Sequence, residues 1–131
     1  MTAQERKERP VYSGVLRYFP LALLEVARCS WVGNEQHNPG EELRWDRSKS
    51  TDEADALVRH LLDVGTFDTD GVRHTAKVAW RALALLQKEL EDAALASGQT
   101  TKWLPTDGCD CGLCASARRQ AAFTTNEQPC A

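Results

Sequence analysis

Residues 70–96 read Asp-Gly-Val-Arg-His-Thr-Ala-Lys-Val-Ala-Trp-Arg-Ala-Leu-Ala-Leu-Leu-Gln-Lys-Glu-Leu-Glu-Asp-Ala-Ala-Leu-Ala, and their period decides the fold. Val72, Ala76, Ala79, Leu83, Leu86 and Leu90 recur at helical spacing and predict one long helix from about Gly71 to about Ala96. Val78, Ala82 and Leu85 widen the stripe to much of the circumference, so the helix is buried on more than one side. In a chain of 131 residues that surplus of apolar surface calls for a partner subunit. Asp70 is placed to cap the start, and Ser97-Gly98 ends it.

Upstream, the same reasoning gives two more helices. Pro20 suits a first helical turn, where its missing N–H costs nothing. A helix then runs from about Leu21 to about Glu35, with Leu24, Ala27 and Trp31 as its buried stripe, and Asn38-Pro39-Gly40 stops it. Ser50 and Glu53 have capping-box spacing and open a helix that carries Ala56, Leu57, His60 and Leu61 and ends near Gly65. Residues 1–10 read as a mobile charged end, and Val11 to Phe19 as an extended or irregular stretch. Nothing reads as a strand ladder, so the predicted class is all-α. Residues 11–97 form the predicted domain, and residues 98–131, without apolar period, form a poorly structured tail.

Composition excludes several classes of function. The formal net charge is −3, so no global basic field points to nucleic acid. No apolar run reaches bilayer length, and the charged N-terminus lacks a signal-peptide core, which predicts a cytoplasmic protein. Of five cysteines, Cys29 lies alone in a helical pattern. Cys109, Cys111, Cys114 and Cys130 could hold zinc as thiolates, but their spacing is not the common pair of C-x-x-C knuckles, which favours a loose thiol-bearing tail. There is no Gly-rich phosphate loop and no dinucleotide fingerprint.

Chemistry concentrates between Gly33 and Asp55. Asn34, Glu35 and Asn38 lie at one helix end, and Asp52 and Asp55 share a face at i, i+3 on the next helix. Two such helices side by side would gather Glu35, Asp52, Asp55 and Asn38 into an oxygen-only cluster, which suits Mg²⁺ or Mn²⁺. Equally, Asp52 and Asp55 could serve the helix dipole alone. Arg44, Arg47, Lys49 and Lys77 are candidate phosphate contacts, with Lys49 and Lys77 ahead. His37, His60 and His74 lack i, i+4 metal spacing and read as hydrogen-bonding or packing residues near the site.

Five blocks carry a resemblance: Ser-Gly-Val-Leu-Arg-Tyr-Phe-Pro (13–20), Gly-Asn-Glu-Gln-His-Asn-Pro-Gly (33–40), Trp-Asp-Arg-Ser-Lys-Ser-Thr-Asp (45–52), Arg-His-Leu (59–61) and Asp-Gly-Val-Arg-His-Thr-Ala-Lys-Val-Ala-Trp-Arg-Ala-Leu-Ala (70–84). Over roughly residues 11–92 the chain resembles phage dATP/dGTP diphosphohydrolases, a branch of the MazG-like all-α pyrophosphohydrolases. It also resembles the MazZ type found in phages that replace adenine with 2-aminoadenine. The MazG group carries E-E-x-x-E on one helix and E-x-x-D on the next. Here Asn34-Glu35-x-x-Asn38 and Asp52-x-x-Asp55 take those places, and only Glu35 and Asp55 keep the group's residue. The resemblance implies hydrolysis of dGTP or dATP to dGMP or dAMP and pyrophosphate. It implies two or three Mg²⁺ or Mn²⁺ ions on Glu35, Asn38, Asp52 and Asp55, with Glu35 also orienting the water. It implies a helical homo-oligomer, dimer or tetramer. Lys49, His60 and Lys77 are placed at the substrate, with Ser13, Gly14, Trp31 and Trp45 around the base. The two asparagines leave open a rival reading, a helical binding or assembly protein that kept the fold without catalysis.

Overall fold

A computed structural model of the chain describes residues 1–98. The Cys109, Cys111, Cys114 and Cys130 cluster and nearly all of the predicted tail lie outside the described residues. Among the described residues four α-helices follow one another: α1 (Ala3–Lys7), α2 (Pro20–His37), α3 (Glu53–Leu62) and α4 (His74–Ala96). A π-helical turn (Tyr12–Leu16) precedes α2 and a 3₁₀ turn (Arg47–Lys49) precedes α3. Among the described residues the only β pairing is an isolated bridge between Phe67 and Arg73, so the fold is all-α as predicted. No helix among them is long and apolar enough to cross a membrane.

Local chemistry accounts for most of the boundaries. Pro20 occupies the first turn of α2. Asn38 closes that helix by donating its N–H to the Asn34 carbonyl at 2.7 Å, and Gly40 follows at φ 76°. The predicted mobile end instead forms α1, because Thr2 and Glu5 close a capping box. The stretch expected to be extended or irregular winds into the π turn. Neither Ser50 nor Asp70 caps as expected. Asp52 is the N-cap of α3 without a side-chain cap, and Arg73 occupies that position for α4. The two side chains are used elsewhere: Ser50 Oγ donates to Asp52, and Asp70 accepts from Val72 N–H and Lys77.

Helix α4 is the centre of the chain. It packs against both α3 and α2, while α2 and α3 make no comparably extensive contact with each other. On α3 the inward stripe is Glu53, Ala56, Leu57 and His60. On α4 it is Ala76, Lys77, Trp80, Arg81, Ala84, Lys88 and Glu91, and this corrects the predicted apolar register. Leu83, Leu86 and Leu90 remain 54, 51 and 58% exposed in the single chain. Leu24 and Trp31 of the expected α2 stripe are exposed too. Only Ala56, Val72, Ala76 and Ala84 are buried apolar residues among the described ones.

Ion pairs fill the α3–α4 seam in place of hydrocarbon. Lys88 Nζ reaches Glu53 Oε1 at 2.8 Å and the Ser50 carbonyl at 2.6 Å. Arg81 donates to Ser50 Oγ at 2.9 Å. Such pairs add little net stability, but removing one partner leaves an uncompensated buried charge. They fix the register in which the loop before α3 lies on α4.

Candidate functional site

A cleft of about 250 Å³ opens between the C-terminal half of α2, the loop Arg44–Ser50 and the first turns of α4. Asn34 shapes its wall. This buried amide donates from Nδ2 to the Glu41 carbonyl at 3.1 Å and accepts from Arg44 N–H at 3.4 Å, pinning the loop to α2. A glutamate there could accept but not donate. The asparagine that departs from the MazG pattern therefore has a structural task.

Four cations, Arg44, Lys49, Lys77 and Arg81, line the cleft against two carboxylates, Asp46 and Asp70. Asp46 is held by the Ser48 hydroxyl and N–H, which lower its pKa. Trp45 and Trp80 meet edge to face, centroids 5.6 Å apart, and both contribute to the lining. Arg47, one of the expected phosphate contacts, is committed elsewhere. It stacks on Trp45 at 4.2 Å and grips Glu91 with two hydrogen bonds.

Lys77 sits at the deep end. Its Nζ reaches Asp68 Oδ2 and Asp70 Oδ2, each at 2.6 Å. Burial disfavours the ammonium, but the two carboxylates outweigh burial and raise its pKa. Asp68 is held down at about 2 by the Lys77 hydrogen bond and the Thr69 N–H. Gln36 donates to Asp70 at 3.2 Å and Arg28 to the Gly71 carbonyl at 2.8 Å, so α2 is docked on the turn that opens α4. The half-buried Cys29 thiol lines the cleft with its pKa raised by burial, an unreactive form.

His60 and His74 come together although fourteen positions separate them, Nδ1 to Nδ1 at 3.0 Å. The turn between α3 and α4 does this. Gly65 and Gly71 take positive φ, and Asp68 N–H and His74 N–H bond to the Val72 and Thr66 carbonyls. Burial first, then the Lys77 and His74 charges, lower the His60 pKa and keep the ring neutral.

Of the residues singled out in the sequence, Asn34, His37, Asn38, Arg44, Trp45, Lys49, His60 and Lys77 line the cleft. Glu35, Asp52, Asp55, Ser13, Gly14 and Trp31 do not. Ser13 and Gly14 lie in the π turn, and Trp31 is on the exposed side of α2. Glu35 is half-buried on α2. Asp52 pairs with Arg59 at 2.7 Å, and Asp55 is exposed one turn later. Because α4 lies against both helices, the expected meeting of Glu35 with Asp52 and Asp55 does not occur in the single chain. The one trio of His, Cys, Asp or Glu close enough to share an ion, among the described residues, is His60, Asp68 and His74. Sequence reasoning missed Asp68, Asp70 and Arg81. The Asp68-x-Asp70 pair in a turn before a lysine-bearing helix was the available signal.

The cleft can therefore take a polyanion against its cations, with aromatic edges beside it. No curated protein and no solved structure matches the chain. The family described as dATP/dGTP diphosphohydrolase, N-terminal, matches residues 2–97, which span all four helices and every cleft residue. By that match the chain belongs to the dATP/dGTP diphosphohydrolase N-terminal family, a family of deoxynucleoside triphosphate hydrolases.

Proposed function

We propose that the chain hydrolyses dGTP and dATP to the monophosphate and pyrophosphate. The observation that carries the reading is the excess of cations over carboxylates in a cleft that also presents two indole rings. A triphosphate needs both: charge for its phosphates and a flat apolar edge for its purine. Lys49, exposed at the rim, and Arg81, deeper on α4, take the β- and γ-phosphates. Water attacks the α-phosphorus, and the leaving pyrophosphate gains charge against these cations, where positioned donors stabilise it most. Trp45 and Trp80 take the base edge, with Asn38 at the rim as an amide partner.

A requirement for Mg²⁺ or Mn²⁺ belongs to the reading and rests on the resemblance. Glu35, Asn38, Asp52 and Asp55 are chemically suited to a hard cation. They do not form one group in the single chain, so no step is assigned through an ion held by them.

The working form is a homo-oligomer. Among the described residues four buried apolar side chains make a small core, and Leu83, Leu86 and Leu90 offer a second copy a continuous helical stripe. In a phage with 2-aminoadenine DNA the dGMP product would feed synthesis of the modified nucleotide, a role supported by the MazZ likeness alone.

Pyrophosphate release from each dNTP, with Mn²⁺ and with chelator, tests the reading. Release from dGTP and dATP that stops with chelator supports it. Absence of release from every dNTP, with or without metal, overturns it.

A further inference from the structure

We propose that His60, His74 and Asp68 form a binding site for a divalent first-row transition ion of the Mn²⁺ class, beside the cleft and separate from the carboxylates that the resemblance singles out. One coordinating atom from each residue lies within 4.8 Å of the other two. The two imidazoles turn Nδ1 toward Nδ1 at 3.0 Å. Two imidazole nitrogens bound to one ion at about 2.1 Å stand roughly 3.0–3.4 Å apart, so the rings already hold the spacing of neighbouring ligands. Two imidazoles with one carboxylate select Mn, Fe, Co or Zn over Mg²⁺.

Asp68 has an acceptor direction to spare. Its Oδ1 accepts from Thr69 N–H and Oγ1, and its Oδ2 from Lys77. A carboxylate has about four acceptor directions, so one remains for an ion. Lys77 repels a cation, but Asp70 at 2.6 Å offsets its charge. The site also has a rigid frame. His60 is in the last turn of α3, His74 opens α4, and Asp68 sits in the hydrogen-bonded turn between them. His60 also lines the cleft, so a bound ion would stand at the phosphate end, next to Lys77.

Mn²⁺ titration of the full chain, followed by electron paramagnetic resonance, tests the site without an activity assay. Mn²⁺ is a poor match for thiolates, so the cysteines do not compete. The expected result is loss of the free Mn²⁺ signal together with ¹⁴N modulation in the electron spin echo, the mark of imidazole ligation. His60→Gln and His74→Gln should each reduce the modulation and weaken binding at least about tenfold, the loss that even an outer partner of a metal ligand causes, and the double variant should remove the modulation. Bound Mn²⁺ without ¹⁴N modulation in the unaltered protein would place the ion on oxygen ligands and overturn the proposal. So would no binding, or modulation of full strength in the double variant. None of these outcomes bears on whether dGTP is split, so the hydrolase reading stands or falls separately.

Discussion

Arg47 and Glu91, 44 positions apart, meet in a two-pronged ion pair, Nε to Oε2 and Nη2 to Oε1, both at 3.0 Å. Their side chains are 14 and 3% exposed, and Gln87 adds a third hydrogen bond to the carboxylate. The pair clamps the loop that carries Trp45 and Lys49 onto the C-terminal part of α4. Arg47→Ala leaves Glu91 buried and unpaired, and should cost about 3–5 kcal/mol in chemical denaturation. Arg47→Met with Glu91→Leu removes both charges and should recover most of that loss. If the double variant is as unstable as the single one, the clamp is not the reason the loop holds.

Asn34→Asp restores a carboxylate to the MazG pattern, and it should harm the protein. The aspartate cannot donate to the Glu41 carbonyl, and its charge is buried. A loss of about 1–3 kcal/mol is expected, with lower turnover as the cleft wall loosens. A gain in metal-dependent turnover would show that the position belongs to a metal site after all.

These two positions show what the sequence could and could not reveal. Helices α2, α3 and α4 were legible because Pro20, Asn38-Pro39-Gly40 and the period of 72–90 act locally. The face of α4 turned inward was not legible, since Lys77, Arg81, Lys88 and Glu91 look like surface residues until their partners on other elements are known. Likewise the helical spacing of Asp52 and Asp55 correctly put them near the start of one helix. Whether that helix lies beside Glu35 depends on α4 being placed against both, a non-local fact. His60 and His74 meet through the 63–73 turn, which no periodicity rule encodes.

Acid stability should depend on Glu53. Burial pushes its carboxyl up, but the Lys88 hydrogen bond, backbone N–H and Lys88 charge outweigh burial and hold it below the ordinary range. A carboxyl depressed in the folded state contributes stability that is complete above its unfolded pKa, about 4.3. That stability is lost as pH falls through the folded value. Lys88→Met leaves Arg81, at 3.9 Å, as the nearest cation. The stability gap between the variant and the unaltered protein should therefore be largest near neutral pH and shrink as pH drops below about 4. A gap independent of pH would remove Glu53 from the account.

Leu83→Glu with Leu86→Glu places charge on the exposed stripe of α4. Light scattering should report an oligomer for the unaltered protein and a monomer for the variant. A monomer in both would mean that the leucines stay in water and that the chain works alone.

Lys49 stands at the rim of the cleft with its side chain exposed, so it can be removed without leaving a buried charge. Loss of one charged hydrogen bond to phosphate is worth about 1.5–3 kcal/mol, so Lys49→Ala should lower kcat/KM for dGTP by about 10–100-fold. The melting temperature should be unchanged. Normal kcat/KM would move the phosphates to another part of the cleft.

Isotope-labelled water reads the site of attack directly. Hydrolysis of dGTP in H₂¹⁸O, with the products separated and weighed by mass spectrometry, reports which phosphorus took the oxygen. Attack on the α-phosphorus gives equal amounts of dGMP and pyrophosphate, with the label in the dGMP phosphate. Label in pyrophosphate would contradict it, as would dGDP with labelled orthophosphate, or deoxyguanosine with triphosphate.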